Sequence, residues 1–149
     1  MSAKSTLTVN GFHLPTVLAN VIKKGSTGPA YWGQQSAISR WYSMFDADEI
    51  DAPQIYPEHI LRKTNLEWLH ENREIFIGLD DGISQPGRMN PNSSLIFGEL
   101  GQDALLALEY STPDRPPSVS YLKWHASRTM RWAFVTTDIE IFLLNLNLI

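Results

Sequence analysis

Apolar residues along this chain change their spacing twice, and each spacing predicts a different kind of element. Leu14, Val17, Leu18, Val21 and Ile22 recur at i, i+3, i+4, i+7 and i+8, which is one face of a helix. Pro15 suits its first turn, and Gly25 follows the last periodic residue as a stop signal. Ile38, Trp41, Tyr42 and Phe45 give a second helical face over residues 35–45, closed by the acidic turn from Asp46 to Asp51. Pro53 and Pro57 make residues 53–61 an edge segment leading into a turn rather than a central strand. Asn65 is placed as the cap of a short helix over 66–72.

Beyond residue 74 the period falls to two. Ile75, Ile77 and Leu79 alternate as a strand that ends at Asp80-Asp81-Gly82. A loop from 83 to 93, with Pro86-Gly87 and Asn90-Pro91, leads to strands at 94–98, 104–110 and 117–124. Leu106, Leu108 and Tyr110 share one face of the second, Val119 and Tyr121 one face of the third, and the Pro-rich stretch 111–117 between them must turn. Residues 132–135 supply an edge strand. Thr137-Asp138-Ile139-Glu140 reads as a capping box opening a helix with Ile139, Phe142, Leu143 and Leu146 on its apolar face. The expectation is an α+β fold: a single domain over 1–149, with a mostly antiparallel sheet of about four to six strands between N-terminal and C-terminal helices.

Composition narrows the class. A hydrophobic share of 43% is that of a globular protein and too high for a disordered one. There is no cysteine, hence no disulfide framework and no thiolate metal site. The first residues lack the apolar core of a signal peptide, and the run Ile141–Ile149 is too short to span a bilayer, so a cytoplasmic protein without a membrane role is expected. The net charge of −4 is unevenly spread. Residues 1–45 hold four bases and no acid, whereas 46–109 hold thirteen acids against Arg62, Lys63, Arg73 and Arg88. That acidic middle argues against nucleic acid as a partner and suits a basic protein.

No motif carries chemistry. His13, His59, His70 and His125 have no second ligand at a zinc spacing, so no metal or other cofactor is expected. Gly98-Glu99-Leu100-Gly101 is too short to cradle a phosphate and reads as a bend or bulge. Glu67, Glu71 and Glu74 share one face of the expected short helix; a small hydrolase using Glu67 and Glu71 is the weakest reading, because acid–base work needs two carboxylates across a cleft. A binding protein rather than an enzyme is expected.

Phe97-Gly98-Glu99-Leu100-Gly101-Gln102-Asp103, then Ala107-Leu108-Glu109-Tyr110, Pro117-Ser118-Val119, Tyr121-Leu122-Lys123-Trp124 and Arg131-Trp132, followed by the helix ending Phe142-Leu143-Leu144-Asn145-Leu146, resemble the SUKH superfamily over residues 74–146. Glu109 stands where Asp is usual. The resemblance implies an antiparallel sheet flanked by helices. It also implies a bacterial immunity protein that binds and neutralises a cognate polymorphic toxin, often a nuclease; a regulatory or scaffold module of the same fold is the alternative. Read with the acidic middle, it points to acids in turns as partner-binding residues: Asp46, Asp48, Glu49 and Asp51, then Asp80, Asp81, Glu99 and Asp103. Tyr31, Trp32 and Trp124 are the candidate aromatic anchors, Trp124 foremost.

Overall fold

The computed structural model describes residues 6–25, 31–32, 53–70, 77–78, 86–100, 104–110, 115–124, 130–146 and 148–149. In chain order the elements are β1 (Thr8–Val9), β2 (Phe12–His13), α1 (Thr16–Gly25), β3 (Tyr31–Trp32), β4 (Gln54–Ile55), α2 (Glu58–His70) and β5 (Pro86–Gly87). After a 3-10 turn at Pro91–Ser93 come β6 (Ser94–Glu99), β7 (Leu105–Glu109), β8 (Ser118–Trp124), β9 (Met130–Thr136) and α3 (Ile139–Asn145). β1 and β2 form a separate hairpin, and the other strands form one sheet in the order β3-β4-β6-β7-β8-β9-β5. Every pairing in it is antiparallel. The fold is α+β, as the pattern predicts, and the long strands β6 to β8 fall close to the strands expected at 94–98, 104–110 and 117–124.

The hairpin turns at Asn10-Gly11, both with positive φ (51° and 84°), the backbone that Asn-Gly adopts most readily in a two-residue turn. Tyr110 holds this hairpin to the end of β7: its hydroxyl donates to the His13 carbonyl at 2.9 Å, and its ring stacks on Phe12 at 4.6 Å. α1 follows directly and buries Leu18, Ala19, Val21 and Ile22. Its first internal hydrogen bond runs from Ala19 to the Pro15 carbonyl, so the proline stands at the helix entrance, where a missing N–H costs nothing.

The sheet centre is buried on both sides. Leu95, Ile96 and Phe97 on β6, Leu106, Ala107 and Leu108 on β7, and Val119 through Leu122 on β8 are all buried. Successive strand residues point to opposite faces, so the one-sided alternation expected for β7 gives way to a strand covered above and below. α2 packs against β6, and α3 packs against β8 and β9. Phe142 of α3 meets Phe97 edge-on at 5.8 Å, and Trp68 of α2 meets Trp132 of β9 at 6.1 Å.

Five elements differ from the sequence pattern. The segment after Pro53 is no edge: β4 lies between β3 and β6, and Pro57 leads into the thirteen-residue helix α2 rather than a turn. Asn65 is not a cap. It lies inside α2, fully buried, because its side-chain amide bonds the backbone of β6. Ile77, placed in an expected strand, has helical backbone, while Ile75 and Leu79 lie outside the described residues, as does the expected helix over 35–45. β9 spans seven residues and is flanked by β5, so it is an inner strand. The cap of α3 is Asp138 instead of Thr137: its carboxylate accepts from the Glu140 and Ile141 N–H groups at 2.9 and 3.3 Å. No helix among the described residues is long and apolar enough to cross a membrane.

Candidate partner-binding surface

The strand register decides which of the expected binding residues can share a surface. Trp32 pairs with Gln54, Gln54 with Glu99, and Glu99 with Leu105; Leu106 pairs with Tyr121, and Trp124 pairs with Met130. One end of the sheet therefore carries the chain entering β4, the β6–β7 connection and the β8–β9 connection. Neighbouring strands lie about 4.8 Å apart, so β4 and β8 are about 15 Å apart across this end.

Gly98 makes the close approach of β4 possible. The register of β6 on β7 slips between Ile96 and Gly98, a bulge at the place where the glycine pattern predicts one. A Cβ on Gly98 would collide with the Gln54 carbonyl oxygen and press on Leu106 Cδ1 at 3.3 Å. Without a side chain there, Gln54 and Ile55 can lie against Glu99 and Gly98. The β6–β7 connection is closed by a hydrogen bond from the Leu100 N–H to the Ala104 carbonyl at 2.7 Å.

Of the expected binding residues, Glu99 is half-buried at the last position of β6, and the backbone of Trp124 ends β8. Asp46, Asp48, Glu49, Asp51, Asp80, Asp81 and Asp103 lie outside the described residues. Their flanks are described and separate them into two groups. Asp51 stands two positions before Pro53, which leads into β4, and Asp103 stands between Glu99 and Leu105; the described residues next to these runs, Gln54, Glu99 and Leu105, lie at the same sheet end. Asp80 and Asp81 instead fall between Gly78 and β5. A Cβ on Gly78 would meet the Gly87 carbonyl oxygen and Trp132, at the opposite edge of the sheet. The acid-flanked end also holds cations: Lys123 and Arg131, both half-buried, are directly opposed across β8 and β9.

Glu67, the other carboxylate singled out by sequence, is exposed on α2, and Glu71 lies outside the described residues. Among the described residues no three His, Asp or Glu side chains gather as a metal-binding set. Sequence reasoning missed the exposed apolar side chains Phe134, Ile141 and Leu144. The signal of the last two was present: Ile141 and Leu144 fall off the periodic face of the last helix, on the side that also carries Glu140 and Asn145. No protein-family model, curated protein or solved structure matches this chain.

Proposed function

We propose that this protein is a cytoplasmic, non-enzymatic immunity protein that neutralises a basic protein toxin by covering its working surface. The observation that carries the reading is the register Gln54–Glu99–Leu105, which gives two of the three acidic runs a common flank at one sheet end. The acidic balance of residues 46–109 supports it, as does the resemblance of residues 74–146 to the SUKH superfamily. A nuclease presents a basic face to its substrate, and acids set against that face speed encounter and exclude wrong partners more than they deepen the complex.

The test is protection in cells that express the toxin domain encoded next to this gene. Wild-type protein restores growth. Changing Asp46, Asp48, Glu49, Asp51 and Asp103 together to Lys abolishes protection, whereas Asp80→Lys with Asp81→Lys retains most of it. Growth restored equally by wild type and by the first variant sinks the reading. A protein that protects against no neighbouring toxin favours the scaffold alternative.

A further inference from the structure

The β1–β2 hairpin turns on the only Asn-Gly pair in the chain. Asn10 and Gly11 are both exposed, and a Cβ on Gly11 would meet nothing within 4 Å, so the turn stands clear of its surroundings. A glycine leaves its backbone nitrogen unhindered, and an asparagine just before it is the residue most prone to cyclise onto that nitrogen. In this reaction the Gly11 nitrogen bonds to Asn10 Cγ and the Cγ–Nδ2 bond breaks. The Gly11 amide proton leaves with Nδ2 as ammonia. Water then opens the cyclic imide at Cγ to give aspartate, or at the backbone carbonyl carbon to give isoaspartate, whose main chain runs through Cγ.

The fold holds the leaving group of this reaction. Asn10 Nδ2 donates to the Asn65 carbonyl of α2 at 3.1 Å. Two further bonds fix the hairpin: Arg62 Nη1 donates to the Thr8 carbonyl at 3.2 Å, and the Tyr110 hydroxyl to the His13 carbonyl at 2.9 Å. The Asn10 side chain cannot swing onto the Gly11 nitrogen while its amide is donated to α2, so ring closure waits for the hairpin to open locally. We infer that Asn10 is a site of spontaneous deamidation and isoaspartate formation, gated by the contact of the hairpin with α2. Either product puts a carboxylate where the donor stood and sets it against the Asn65 carbonyl, so the bond to α2 is lost. Isoaspartate also lengthens a turn whose flanking pairs, Thr8–His13 and Val9–Phe12, fit two residues. The inference rests on the hairpin alone and is independent of the immunity reading.

The full chain, aged in mildly alkaline buffer while folded, tests it. Tryptic peptides are followed by mass spectrometry, and isoaspartate is marked with an isoaspartyl methyltransferase. Asn10 converts before any other asparagine, including exposed Asn92, which precedes Ser93. It converts more slowly in the folded chain than in a free peptide of residues 5–23. Arg62→Ala with Tyr110→Phe raises the rate at Asn10 about fivefold, the change in an opening equilibrium that one ordinary hydrogen bond makes. Should that variant fail to fold, the comparison of wild type with the free peptide decides the gate. Three results overturn the inference: another asparagine converts first, Asn10 reacts as fast in the folded chain as in the free peptide, or the folded double variant reacts at the wild-type rate.

Discussion

The side-chain amide of Asn65 meets Ile96 as a neighbouring strand would. Its Nδ2 donates to the Ile96 carbonyl at 2.8 Å, and its Oδ1 accepts from the Ile96 N–H at 2.8 Å. β4 pairs with β6 only at Glu99 and Gly98, so Asn65 takes up the backbone groups of Ile96 that β4 does not reach. A further bond from Nδ2 to the Leu61 carbonyl at 2.9 Å completes the amide's partners in the core. Trp68, one turn on, extends the anchor by donating to Ser94 Oγ at 3.0 Å, and Ser94 Oγ in turn donates to the Asn90 carbonyl at 2.7 Å. Asn65→Ala strands a buried donor and a buried acceptor, and we expect a loss of about 2–4 kcal/mol in urea unfolding. A loss under about 1 kcal/mol shows that Ile96 finds other partners.

Tyr110 makes the stability of the fold pH-dependent at the alkaline end. Burial pushes its phenol well above the ordinary value of 10.0. Folding thus favours the protonated ring, so the stabilisation is complete below about pH 10 and is lost as pH rises beyond it. Ionisation also removes the proton donated to the His13 carbonyl. Urea midpoints of wild type should fall more steeply above about pH 10 than those of Tyr110→Phe, with the two curves parallel below that pH. Identical slopes show that the ring is not held from water by the hairpin.

At the scale of elements, the legible parts are those whose apolar residues keep one period. α1, α3 and the strands β6 to β8 repeat a single spacing, and each forms close to its expected bounds. α2 was hidden for a physical reason. Its buried positions are Leu61, Asn65 and Trp68, so the centre of its inward stripe is polar, and an amide that belongs to the core looks like a helix cap. Two prolines before it strengthened that impression, although Pro57 stands outside the helix, where it is harmless. The placement of β4 could not be read either, because it depends on space left by a glycine more than forty residues away. Gly98→Ala should force β4 from β6, with faster hydrogen exchange at the Tyr56 amide, which donates to the Phe97 carbonyl at 3.0 Å. We expect a cost of about 1–3 kcal/mol; unchanged exchange there shows that the bulge absorbs the methyl group.

At the scale of the whole molecule, sequence named the acids but not their arrangement. Charge counting treats Asp46 to Asp51, Asp80, Asp81, Glu99 and Asp103 as equivalent, and only the register shows that Gln54, Glu99 and Leu105, the described neighbours of the first and last runs, share the β4–β6–β7 end, while Gly78, before Asp80, lies by β5. Long-range attraction between an acidic surface and a basic toxin acts mainly on association, so it weakens as salt rises.

The most direct measurement is the association rate between this protein and the toxin domain encoded beside it, followed as a function of ionic strength. A specific complex is expected, with an association rate that falls steeply with added salt. Reversing Asp46, Asp48, Glu49, Asp51 and Asp103 should flatten that dependence, and reversing Asp80 and Asp81 should leave it nearly intact. No complex, or one whose association rate is the same at low and high salt and unaffected by the first set of reversals, contradicts it.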